Sequence, residues 1–215
     1  MEPSTKYFTA QDVQTLQDII MHRRDVRGNR FIEKPVEQSV IDQLLNAALH
    51  APSVGFSQPW EFVVIRDAGI RQQVKDSFDW ANAAAQPIFG DKQEQYARLK
   101  LEGIMESAVN IAVFYRPSPG PVLGQSAMPE AGLYSVVCSV QNMWLMARAL
   151  NIGLGWVSIL DAQKVCDILH APEGCQLVAY LCIGYTDKFL ARPELELLEW
   201  EKRRELETVV RYECF

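Results

Sequence analysis

Arg23-Arg24-Asp25-Val26-Arg27 crowds three guanidinium groups around one carboxylate, directly behind an amphipathic segment and ahead of the glycine-containing loop Gly28-Asn29-Arg30-Phe31. Guanidinium keeps its charge at any working pH and offers a planar fork of donors. Such a cluster suits a phosphate dianion or an electron-rich ring edge. An acid among these groups stays ionised unless it is buried. Any single arginine here has a simpler account, a cation at a helix C-terminus worth under about 1 kcal/mol. Three of them bracketing an acid, with Gly28 permitting close approach, favour a bound anion.

The chain around this stretch is acidic, with a net charge of −6 and a pI near 5.2. That balance argues against a general nucleic-acid or anionic-membrane surface and leaves a local anion as the partner of the arginines. With 215 residues, 48% of them apolar, one domain spanning 1–215 is the expectation. Met1-Glu2-Pro3-Ser4-Thr5-Lys6 lacks the features of a signal peptide and no apolar run approaches a membrane span, so a cytoplasmic protein is expected. Cys138, Cys166, Cys175, Cys182 and Cys214 are odd in number and widely spaced, which reads as reduced packing residues. His22, His50 and His170 are too scattered for a metal site.

Working outward, Val13, Leu16 and Ile20 recur at helical spacing and predict a helix running up to the arginines. Val40 to Ala48 predicts a second helix, ended near His50 by Pro52. The loop Ala51 to Trp60 holds Ser53, Ser57 and Gln58 between two prolines, polar groups suited to the edge of a planar heterocycle or simply to a turn. Phe62 to Ile65 reads as a buried strand. Ile70 to Ala85 and Gln93 to Met105 read as helices joined across Pro87 and Gly90, a pair able to form a lid, with core packing the plainer reading of Trp80 and Tyr96. Val109 to Tyr115, the glycine-punctuated Gly153 to Ile159, and Gln176 to Ile183 are further strands. A long loop over 118–129, a very apolar helix from Leu133 to Ala147 and a helix capped by Asp161 separate them. Strands alternating with helices read as an α/β or α+β sandwich, with a C-terminal extension suited to wrapping a partner subunit. No G-x-G-x-x-G precedes a helix, so a dinucleotide fingerprint is missing.

A helix ending in Arg-Arg-x-x-Arg and Phe31, an Ala-Pro-Ser loop with Gln58-Pro59-Trp60 before a strand, and the late Gly153-Leu154-Gly155-Trp156 strand together resemble the FMN-binding nitroreductase superfamily. Within it, Arg23 to Phe31, the loop Ser53 to Trp60, Phe78-Asp79-Trp80-Ala81, Tyr96 to Gly103 and Pro193-Glu194-Leu195-Glu196 more closely resemble the family of 5,6-dimethylbenzimidazole synthases. The resemblance implies a nitroreductase-like fold with a mostly antiparallel central sheet, lid helices, and a homodimer with flavin at the subunit interface. It implies a reaction in which reduced FMN is the substrate, cut by O2 into 5,6-dimethylbenzimidazole and erythrose 4-phosphate, the reduced flavin coming from a separate NAD(P)H-dependent flavin reductase. Asp25 and Ser158 would then be catalytic. Arg23, Arg24 and Arg27 would hold phosphate and pyrimidine edge, with Val26 beside them. Ser53, Ser57, Gln58, Leu101, Trp156 and Val157 would line the ring, and Arg192 would be a second phosphate contact. Asp25 departs from the small hydroxyl residue usual in ordinary nitroreductases. An NAD(P)H-dependent nitroreductase or quinone reductase, and a flavin-binding protein without turnover, are the competing readings.

Overall fold

Strands β1 (Trp60–Ile65), β2 (Val109–Tyr115), β3 (Gly153–Val157) and β4 (Gln176–Gly184) form one sheet in the order β1-β2-β4-β3, each neighbouring pair antiparallel. The structure is a computed structural model that describes residues 5–215; Met1 to Ser4, part of the signal-peptide reading, lie outside the described residues. Alternation along β2 and β4 sends side chains to two separate cores. Ile111, Val113, Leu181 and Ile183 face α2 (Gln38–Leu49) and α5 (Ala131–Ala149). Ala112, Phe114, Tyr180 and Cys182 face α3 (Ala68–Ala85) and α6 (Ala162–Ile168). Helices on both faces of an antiparallel sheet make the expected α/β sandwich.

Local signals set the helix ends. Asp67 Oδ1 accepts from the Ile70 amide at 2.8 Å to start α3, and Asp161 Oδ1 from the Lys164 amide at 3.1 Å to start α6. Thr9 and Asp12 form a capping box at the start of α1 (Ala10–His22). Along α5, Val136, Val140, Met143 and Ala147 are fully buried, while Tyr134 and Val137 are exposed, so one face of that helix is core. By contrast α1 buries none of its residues, and Val13, Leu16 and Ile20 are about half exposed.

Four expectations need correction. Phe62 to Ile65 is a strand but not a buried one: β1 has a neighbour on one side only, and Val63 and Val64 are exposed. The helix after Gln93 is α4 (Gln93–Arg98) and stops seven residues short of Met105, because Leu99 turns extended and the next residues bond elsewhere. Their carbonyls are taken by the arginine segment, with Gly28 N donating to Glu102 O at 2.7 Å and Arg27 Nη1 to Lys100 O at 3.2 Å. Trp80 is 61% exposed, while Tyr96 is buried as a core residue and its hydroxyl donates to Asn82 Oδ1 at 2.8 Å. Cys214 is exposed, unlike the buried Cys166 and Cys182.

Beyond α4, Arg71 reaches from α3 to donate to the carbonyls of Ile104 at 2.6 Å, Met105 at 2.8 Å and Ser107. A buried guanidinium that gives its Nε and Nη2 to these carbonyls fixes the 104–107 turn behind the site. Two short helices, α7 (Glu194–Leu197) and α8 (Leu206–Val209), punctuate the C-terminal extension, where Tyr212 and Phe215 are exposed.

Candidate active site

After His22 the backbone leaves helical geometry at Arg23, with φ −62° and ψ 137°, and runs alongside β3. Asp25 bridges Leu154 in the parallel sense and Val26 N donates to Leu154 O at 3.0 Å. The glycines of β3 exist for this passage: a Cβ on Gly155 would lie 2.2 Å from Val26 O. Phe31 then plugs inward, its ring so close to Gly103, Gly153 and Gly184 that a Cβ on any of them would meet it at 2.7, 3.2 or 2.8 Å. Three glycines from three segments thus cradle one phenyl ring and fix where the arginine segment sits.

Asp25 is held at both oxygens. Oδ1 accepts from the Trp156 amide at 3.1 Å and Oδ2 pairs with Arg27 at 2.5 Å. Burial pushes its carboxyl above the usual range, opposed chiefly by the Arg27 charge. Arg23 lies over the Trp144 ring, 4.4 Å from the centroid, and its own burial lowers its pKa. Arg24 is largely spent on backbone: Nε donates to Leu190 O and Nη1 to Met21 O, each at 2.9 Å, and Nη2 to Ala191 O. Together Arg23, Arg24, Asp25 and Arg27 line a cavity of about 740 Å³ that Arg192 and Arg203 complete from the C-terminal extension.

The remaining sequence-predicted residues divide. Leu101, Val26, Trp156 and Val157 close in behind Asp25 with Glu102 and Cys182. Arg192 reaches the cavity and pairs with Glu196 at 3.5 Å. Ser53, Ser57 and Gln58 do not join it within one protomer. Their loop is anchored near the start of α5, where Val54 N donates to Ser135 Oγ at 3.0 Å, whereas Arg23 stacks on Trp144, nine residues or about 13 Å further along that helix. Ser53 Oγ accepts from Gln58 N at 3.1 Å, and the buried Ser57 hydroxyl has no partner among the described residues. Ser158 is exposed just past β3 and lines neither the cavity nor the enclosure behind Asp25. Trp144 and Arg203 were missed. The first looked like one more apolar residue of a core helix, and the only signal for the second was the adjacent pair Arg203-Arg204.

The sequence model of the nitroreductase family matches residues 20–185, from the end of α1 through β4. The chain belongs to the nitroreductase family. Among nitroreductase-family relatives, it is 44% identical over 192 residues to a 5,6-dimethylbenzimidazole synthase of Rhodospirillum rubrum, covering 88% of this chain and 90% of that one. A 5,6-dimethylbenzimidazole synthase of Rhodobacter capsulatus is 37% identical over 87% of this chain and 91% of its own. Two solved structures share the nitroreductase fold. Iodotyrosine deiodinase bound to FMN and 3-iodo-L-tyrosine superposes with a TM-score of 0.71 at 21% identity, over 93% of this chain and all of that one. Nitroreductase A from Vibrio parahaemolyticus gives 0.69 at 18% identity, over 94% and 77%. Among the described residues no helix is long and apolar enough to cross a membrane, and no three His, Cys, Asp or Glu side chains group as metal ligands.

Proposed function

We propose that this chain fragments reduced FMN with O2 into 5,6-dimethylbenzimidazole and D-erythrose 4-phosphate, supplying the lower ligand of cobalamin. The observation that carries the reading is the Asp25 carboxylate, pinned by Trp156 and Arg27 at the wall of a cationic cavity large enough for a mononucleotide. The synthases at 44% and 37% identity support it. The residues present fit a flavin: fixed cations suit its phosphate and its electron-rich pyrimidine edge, and the partnerless Ser57 hydroxyl asks for a polar ligand.

When bound, reduced FMN supplies the electrons for O2. The protein's share is to hold, enclose and deprotonate. Arg23 and Arg192 would hold the phosphate, with the Arg24 charge beside them although most of its N–H groups are on carbonyls; Arg27 orients Asp25, and Asp25 would be the group that accepts a proton. Leu101, Trp156 and Val157 would exclude water on one side, and the α3–α4 segment, tied to the C-terminal extension through Lys92 and Gln95, would be the lid on the other. Ser158 orients oxygen, a role resting on family likeness alone.

The distance between the 53–58 loop and the cavity supports a homodimer in which a second copy brings Ser53, Ser57 and Gln58 to the ring. The uncovered apolar stripe of α1 supports the same arrangement. A single domain, a cytoplasmic setting and a separate NAD(P)H-dependent flavin reductase complete the reading. The test mixes protein with chemically reduced FMN in air and analyses the products by mass spectrometry. A benzimidazole is expected; recovery of only oxidised FMN and peroxide, with flavin bound, rejects the proposal.

A further inference from the structure

Arg27 holds two segments at once. Its Nη2 pairs with Asp25 Oδ2 at 2.5 Å and its Nη1 donates to Lys100 O at 3.2 Å, so one guanidinium fork joins the acid of the cavity to the chain leaving α4. Next to it, Gly28 N donates to Glu102 O at 2.7 Å, a second tie to the same stretch. Residues Leu99 to Gly103 belong to no helix or strand, and α4 ends just before them where Leu99 turns extended. Whatever displaces α4 therefore displaces the carbonyl that Arg27 is held on.

Helix α4 is in turn fastened from outside. Phe89 stacks on Tyr96 with ring centroids 4.5 Å apart, and Trp200 of the C-terminal extension packs edge-on against Phe89 at 5.3 Å. Lys92 Nζ donates to Trp200 O at 3.2 Å, and Gln95 Nε2 to Leu198 O at 2.8 Å. Gly90, in the joint between α3 and α4, sits at φ 49° and ψ −117°, a backbone state that side-chain-bearing residues rarely adopt, and nothing packs within 4 Å of where its Cβ would be. The joint thus has an unpacked glycine at its kink and an aromatic latch at its far end.

We infer that Arg27 is a positioning residue that couples the α3–α4 segment to Asp25, keeping the acid paired and aimed only while Lys100 is in place. The purpose of that coupling rests on the reading above, in which Asp25 accepts a proton beneath a closed lid. A fork held by two acceptors has few other geometries open to it; with one acceptor gone, the pair with Asp25 competes with side-chain freedom and water. Asp25 is sensitive to that loss, because burial raises its pKa and the Arg27 charge is the main opposing influence. The other charged or titratable groups around the carboxylate are Arg23 and Arg24 on its own segment, His22 at the end of α1, Glu102 beside Lys100, Cys182 on β4, and Arg192, Glu194, Glu196 and Arg203 on the extension. Among the described residues only Arg27 forms an ion pair with it.

The test follows the Asp25 carboxyl itself, by NMR titration of flavin-free protein labelled at the aspartate Cγ atoms, with the signal assigned through Asp25→Asn. The parent, Trp200→Ala, Arg27→Lys and the double variant are compared, and circular dichroism monitors the fold. Releasing the latch with Trp200→Ala is expected to raise the Asp25 pKa by about half a pH unit or more, and Trp200→Phe, which keeps a ring against Phe89, to restore it. Lysine keeps the charge but has one nitrogen and cannot fork between both acceptors, so in the Arg27→Lys background the effect of Trp200→Ala should shrink to less than about 0.2 pH unit. In the reaction at saturating flavin, the acid limb of benzimidazole yield against pH should move upward with Trp200→Ala to the same extent. No movement of the Asp25 titration, a downward movement such as water entry alone would give, or an equal movement in both backgrounds overturns the inference. Because the titration needs no flavin, a parent chain that makes no benzimidazole rejects the proposed reaction, while the carboxyl signal still decides the coupling.

Discussion

Asp25 carries two opposing demands. Its environment favours the neutral acid by burial, while the proposed chemistry needs the carboxylate. An acid whose pKa is higher in the fold than in the unfolded chain stabilises the fold while protonated, and that contribution is lost as pH rises through the folded value. Asp25→Asn should therefore gain thermal stability relative to the parent as pH climbs from the ordinary 3.8 through the raised value, then hold a constant difference. A pH series of melting curves on flavin-free protein checks this. Product formation in the parent should rise over the same interval. In Asp25→Asn, benzimidazole yield should fall by about a hundredfold or more while FMN binding changes only slightly, measured by single-turnover product analysis and flavin titration. At this scale the sequence showed the acid among its arginines plainly. It could not show that Arg24 would be taken by the carbonyls of residues 190 and 191, because those partners lie over 160 positions away.

Elements read unevenly for reasons that can be named. Strand β2 was legible because both its faces are buried, and α5 because its apolar residues recur at turn spacing. The open edge beside β1 was not, since Val63 and Val64 look the same in sequence whether a neighbour pairs with them or not. Nor was the early end of α4, where Leu99 to Gly103 abandon helical pairing for the arginine segment. The close approach at Gly155 gives the sharpest element-scale prediction. Gly155→Ala must displace Val26 and with it Asp25, at a cost of about 1–3 kcal/mol in urea unfolding and with weakened flavin binding. Met143→Ala, in the fully buried middle of α5, should cost about 2–5 kcal/mol in the same assay without a pH dependence.

At the scale of the whole molecule, the proposed flavin site would have to join two segments that dock at different places along α5, the arginine segment and the 53–58 loop. Sedimentation should give twice the 24.4 kDa chain mass. Leu16→Glu, on the uncovered stripe of α1 and away from the cavity wall, should shift the species toward one chain mass and abolish flavin binding while the circular dichroism spectrum stays native. The parts of this arrangement were individually visible in the sequence. Their separation within a protomer was not, because it depends on where along α5 each segment docks.

Phe31 leaves a practical mark on any effort to reshape this enzyme. Libraries that trim the ring would open a hollow between the second core and Gly103, Gly153 and Gly184, three walls with no side-chain atoms with which to refill it. Enlarging one wall alone collides with the ring, so neither route is open by single steps. Engineers who wish to move the arginines will have to change the plug and its sockets together.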